Sequence, residues 1–263
     1  MTRDTAAPLD AEVPAPPAAE LHRPVTPVRL PWVDGLATFF LVYFVGAFLL
    51  PSPLLEAVAL WLVWRWTDRH YTRSAVWGRG LTERSPWPAL VTYGLAWAVS
   101  LPMVLLMWRF WERAAPWVVE LLETPPTSGE LLALVTVAPI LEEIVFRGFL
   151  LRAWTHRMGL WPGVLLSSFL FGLGHPQEPL GAFAFGVAAC ALRVRYGTLW
   201  VPILFHAAFN LAVVALALAY EAARLEDPRP SPILLAALSA TAGAAALLYA
   251  RSLIATRPAV PAP

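Results

Sequence analysis

Long apolar runs, cut by short clusters of proline and glycine, set the pattern of this chain. Runs of about membrane-spanning length fall at 33–50, 52–66, 87–108, 130–153, 160–175, 179–195, 198–220 and 231–250. The gaps carry helix-stopping residues: PSP at 51–53, TPPTSG at 124–129, GLWPG at 159–163, HPQEP at 175–179 and DPRPSP at 227–232. This pattern predicts an all-α, polytopic membrane bundle of about eight transmembrane helices over residues 31–255. Residues 1–30 differ, with six prolines and seven charged residues, and are expected to form a disordered, solvated tail. A short tail of similar character is expected at 256–263.

Composition supports the membrane reading. The chain is 58% hydrophobic and only 14% charged, against about 25% charged for a soluble domain. Thirteen tryptophans fit the enrichment of Trp at bilayer interfaces. Every basic residue is arginine, and the arginines divide unevenly when threaded through eight helices. One side holds Arg3, Arg23, Arg29, those of the loop at 65–84, Arg152, Arg157, Arg193, Arg195, Arg251 and Arg257. The other holds only Arg109, Arg113, Arg224 and Arg229. The positive-inside rule then places both termini in the cytoplasm. The expected setting is the inner membrane of a bacterium with GC-rich coding. The net charge of +1 gives no sign of a nucleic-acid partner. The single cysteine, Cys190, lies in an apolar run and reads as a small core residue.

Charged and polar residues inside such runs are costly, and they face a protein interior or a water-filled cavity. Six stand out: Glu142, Glu143 and Arg147 in 130–153, His175 at the end of 160–175, and His206 with Asn210 in 198–220. His22, His70 and His156 lie in the tail or in loops and read as solvated. So do Asp34, Glu56 and Glu178, at the ends of runs. Spacing assigns partners. Glu143 and Arg147 are i and i+4 with the glutamate N-terminal, the favourable orientation for a pair on one helix face. Glu142 is turned about 100° away and need not share that arginine. His206 and Asn210 are also i and i+4, as are Phe171 and His175. Measured from their cytoplasmic helix ends at ~1.5 Å per residue, Glu142, His175, His206 and Asn210 fall at about 12–22 Å depth. One slab of the bilayer thus accommodates a carboxylate, two imidazoles and an amide from three helices.

These residues resemble the motifs of the CAAX-protease and bacteriocin-processing (CPBP, or ABI) family of intramembrane proteases. E-E-x-x-x-R matches Glu142, Glu143 and Arg147; F-x-x-x-H matches Phe171 and His175; H-x-x-x-N matches His206 and Asn210. The resemblance covers about residues 130–215. It implies an intramembrane endopeptidase acting on membrane-associated or lipid-modified proteins or peptides. In that family's pattern Glu142 activates water with His175, while His206 and Asn210 stabilise the oxyanion. Glu143, Arg147 and Phe171 support the site. The chemistry is consistent, since peptide hydrolysis needs a general base, a held water and oxyanion donors.

No cofactor is required by this reading. Zinc is the alternative, with Glu142, His175 and His206 as a three-ligand set, although the H-E-x-x-H helix is absent. A second class is a non-catalytic immunity or peptide-binding membrane protein using the same cavity. A coupled transporter would call for repeat symmetry, and the sequence has none strong enough to use. Substrate identity is not encoded in any motif outside 130–215.

Overall fold

The computed structural model describes residues 61, 65, 76–78, 80–114, 127–175, 178–223 and 231–256. Within them the chain is helical, with one isolated antiparallel bridge between Gly78 and Thr198 and no strand. The first long helix is α1 (Trp87–Ala114). A second rod is built from four consecutive pieces: α2 (Ser128–Val135), α3 (Val137–Glu143), a π-helix (Ile144–Leu150) and α4 (Leu151–Met158). Then follow α5 (Leu160–Leu173), α6 (Pro179–Tyr196), α7 (Trp200–Ala223) and α8 (Pro232–Ala255). These six rods match the last six apolar runs. The runs at 33–50 and 52–66, the expected 1–30 tail and nearly all of the 256–263 tail lie outside the described residues. The count of eight and the sidedness of the termini rest partly on them.

Local chemistry explains the joints. Thr127 opens α2 with a capping box, its hydroxyl accepting from the Glu130 backbone while the Glu130 carboxylate accepts from the Thr127 N–H. Pro139 lacks an N–H, so it cannot bond the Val135 carbonyl four residues back. The rod breaks there, at Thr136, between α2 and α3. Gly159, at φ +90°, makes the sharp turn from α4 to α5, a conformation side chains resist.

Small residues let the central helices approach. A Cβ on Gly186 of α6 would lie 2.9 Å from Ser168 Cα of α5, and one on Gly172 of α5 would lie 2.6 Å from the Pro179 carbonyl oxygen. Such close small-residue contacts replace the hydrophobic drive that is missing between helices in lipid. Helix α6 is the centre of the bundle: Val187 to Leu192 are all buried. It packs against α5 on one side and against α1 and α8 on the other.

The outer faces are apolar. Trp87–Phe110 and Pro232–Ala255 are long and apolar enough to cross a membrane, and less than a quarter of each is buried. Leu165, Phe169, Leu204 and Leu211 on other helices are also exposed. At the C-terminal end of α6, residues 82–89 are strapped down. Arg195 pairs with Glu83 at 2.5 Å, and Tyr196 donates to the Ser85 carbonyl at 2.6 Å.

Candidate active site

Three rods meet at the polar residues. Glu142 and Glu143 end α3, and Arg147 sits in the π-helix that follows. A π segment widens the helix by bonding i to i+5 and is frequent at functional sites. Here the Leu151 N–H reaches the Phe146 carbonyl, which also accepts from Ser167 Oγ of α5 at 2.9 Å. Glu142, Glu143, Arg147 and His206 are all buried, at 4%, 0%, 1% and 4% exposure.

Arg147 Nη1 donates to Glu143 Oε1 at 2.8 Å, the i, i+4 pair expected from the spacing. The same oxygen accepts from His206 Nδ1 at 3.0 Å. Glu143 therefore joins α3 to α7 as well as balancing Arg147. The guanidinium also donates to the Gly186 carbonyl at 3.4 Å and lies 4.4 Å above the Phe171 ring, a cation–π contact that stabilises a desolvated charge.

Phe171 holds both histidines. His175 stacks on it with centroids 4.5 Å apart, and His206 meets it edge-on at 5.7 Å. Phe185 of α6 closes the other side of His206 at 4.8 Å. His175 Nδ1 is 2.8 Å from the Phe171 carbonyl. A carbonyl only accepts, so Nδ1 carries the proton there. His206 Nδ1 likewise donates to a carboxylate. Both rings thereby present Nε2 inward, and each Nε2 is 3.9 Å from Glu142 Oε2. His175 keeps 28% of its side chain exposed, the wet edge of an otherwise dry cluster.

The structure thus brings Glu142, His175 and His206 together, with Glu143, Arg147 and Phe171 behind them. Asn210 lies one turn beyond His206 on α7, and its amide donates to the Leu134 carbonyl of α2 at 2.8 Å. Three features were not expected from the sequence: the Glu143–His206 bond, the Phe185 wall and the burial of Glu178. Glu178 was expected to be solvated, yet its Oε1 is buried, seated over Gly181 at the start of α6. Nothing in the local sequence marks the first two, which depend on how separate helices rotate.

As zinc ligands the donors have suitable chemistry but open spacing. Ligands at 2.0–2.1 Å on a tetrahedral zinc lie roughly 3.3–3.4 Å apart, and these are 3.9 Å apart. Among the described residues no group of three His, Cys, Asp or Glu is placed to hold a metal. The set does not fit zinc as it stands.

Residues 125–212 match the family model for type II CAAX prenyl endopeptidase, Rce1-like. This segment, about a third of the chain, holds all three motifs. Two curated relatives match over stretches of similar length. "Putative membrane peptidase YdiL" of Bacillus subtilis (strain 168) is 36% identical over 84 residues, 31% of this chain and 34% of that protein. "Uncharacterized 24.3 kDa protein" of Escherichia coli is 31% identical over 103 residues, 35% of this chain and 48% of that protein. The chain spans half or less of the length of these relatives. No solved structure matches it. With its long apolar helices and lipid-suited outer faces, the chain is a membrane protein.

Proposed function

We propose that this chain is an intramembrane endopeptidase that hydrolyses peptide bonds of membrane-anchored or lipid-modified proteins or peptides with a glutamate-activated water. The observation that carries the reading is the convergence of two imidazole Nε2 atoms, 3.9 Å each, on the buried Glu142 Oε2. The Rce1-like match over 125–212 supports the reaction class.

In this mechanism a water between Glu142 and His175 Nε2 gives one proton to the Glu142 carboxylate as its oxygen attacks the carbonyl carbon. The carbonyl electron pair moves to oxygen. His206 and Asn210 stabilise that oxyanion. Asn210 has two amide N–H groups, and one is spent on Leu134; the other serves the oxyanion. His206, whose Nδ1–H is held by Glu143, donates to the oxyanion when its Nε2 carries a proton. Collapse restores the carbonyl, breaks the C–N bond and returns the Glu142 proton to the departing amine. The products are a carboxylic acid and an amine.

The test is comparative proteomics of protein termini in membranes carrying the wild type or Glu142→Ala. A new terminus present only with the wild type supports hydrolysis and identifies the substrate. Identical termini, with both proteins folded and inserted, overturn it in favour of a binding role.

A further inference from the structure

His175 is the one histidine of the site that is not held within a helix. It follows the last turn of α5, and its carbonyl accepts from the Glu178 N–H at 2.9 Å. The Glu178 side chain turns inward from this point. Its Oε1 is buried with no hydrogen-bond partner, and the nearby Ser100 hydroxyl favours the ionised carboxyl. Ser100 is itself buried on α1, at 4% exposure. The carboxyl lies over Gly181 in the first turn of α6, filling the space that a Cβ there would take. Burial pushes its carboxyl up to about 8. Glutamine has nearly the same shape as this carboxyl and fills the same notch over Gly181.

We propose that Glu178 is a positioning residue for His175: its carboxyl, seated over Gly181 of α6 near Ser100 of α1, fixes the Glu178 backbone whose N–H bonds the His175 carbonyl. The proposal deepens the hydrolytic reading and rests on it for its catalytic consequence. The geometric part stands separately.

Four full-length variants test it: Glu178→Ala, Glu178→Gln, Ser100→Ala and Gly181→Ala. The last adds only a methyl group, and that methyl displaces the carboxyl. The first readout needs no substrate. His175 stacks on Phe171, so its ring protons are shifted upfield in histidine-labelled NMR spectra, and a His175→Ala spectrum assigns them. Glu178→Ala and Gly181→Ala are expected to move these resonances toward free-histidine positions, Ser100→Ala to move them partway, and Glu178→Gln to keep them. The second readout is cleavage. Glu178→Ala and Gly181→Ala are expected to lower kcat roughly 10–100-fold, the size of a small misplacement, with KM little changed and Glu178→Gln restoring the rate. Unmoved His175 resonances in Glu178→Ala overturn the proposal, as does a Gln variant as impaired as the Ala variant. Moved resonances in a protein that cleaves nothing uphold the positioning role and reject the hydrolytic reading instead.

Discussion

His206 is bound before any substrate arrives: its Nδ1 donates to Glu143 Oε1 at 3.0 Å, and Arg147 shares that oxygen at 2.8 Å. The two adjacent glutamates are therefore unequal. Glu143 neutralises a buried guanidinium and orients an imidazole, whereas Glu142 turns its Oε2 toward both Nε2 atoms. Removing one partner of a buried pair leaves the other charge uncompensated, at a cost of about 3–5 kcal/mol. Glu143→Ala is expected to lose stability of that order, read by chemical unfolding in detergent micelles. Glu142→Ala and Glu142→Gln are expected to unfold near the wild type while losing roughly 10²–10⁴ in cleavage rate, the contribution of a general base. Equal destabilisation by both positions would contradict this division.

The six rods from residue 87 onward were legible because apolar length and proline-glycine punctuation are local signals. So was the Glu143–Arg147 pair, which lies on one helix at a fixed spacing. The depth estimate brought Glu142, His175 and His206 to one level. It could not say which nitrogen of His206 faces which carboxylate, since that bond joins residues 63 apart and depends on helix rotation. The π-helix at Ile144–Leu150 had no signature either, because its residues read as ordinary helix formers. Glu178 misled for a related reason. A glutamate beside Pro179 suggests a solvated boundary, and only the seating of its carboxyl over Gly181 reveals otherwise.

The α5–α6 contact sets the site's dimensions. Gly186 lies against the Ser168 backbone, with a hypothetical Cβ 2.9 Å from Ser168 Cα, and its own carbonyl accepts from Arg147. Backbone cannot yield as a flexible side-chain end does. Gly186→Ala is expected to destabilise the protein by about 1–3 kcal/mol, the range for overpacking. It is also expected to cut activity, because α6 carries the Phe185 wall beside His206. Gly243→Ala, where a Cβ meets nothing within 4 Å, is the control. Parallel unfolding and cleavage in the two variants would show that the α5–α6 approach does not set the site.

The Glu83–Arg195 clasp gives an acid-sensitive contribution away from the site. The Ser85 N–H, and then Arg195, hold the Glu83 carboxyl below its ordinary 4.5. A depressed carboxylate adds stability above its unfolded value and loses it as pH falls through the lowered folded value. Thermal unfolding of wild type and Glu83→Gln, compared from pH 3 to 6, is expected to show the wild type more stable at the upper end. The two are expected to converge below about pH 4. Because the pair lies near the surface and is only partly buried, the gap is expected to be small and to shrink with salt. A gap constant across the whole range would show that Glu83 does not titrate differently in the folded protein.

Metal dependence separates two mechanisms with the same three side chains. In the glutamate mechanism Glu142 is the base, and Nε2 of His175 holds water directly. In a zinc mechanism all three are ligands, another group must be the base, and the donors must draw in from the 3.9 Å spacing seen here toward about 3.3–3.4 Å. The hydrogen bonds behind each imidazole suit either task, because fixing Nδ1 also orients a metal-bound ring. The donor spacing favours the first. Cleavage is therefore expected to survive exhaustive dialysis against o-phenanthroline or EDTA, with zinc added afterwards giving no increase. Loss of activity on chelation, restored by stoichiometric zinc, would assign Glu142 as a ligand and require a different base. Measuring His175→Ala and His206→Ala in the same assay sharpens the result. In the glutamate mechanism the two histidines have different tasks, so unequal residual rates are expected; as equivalent zinc ligands they would fail together.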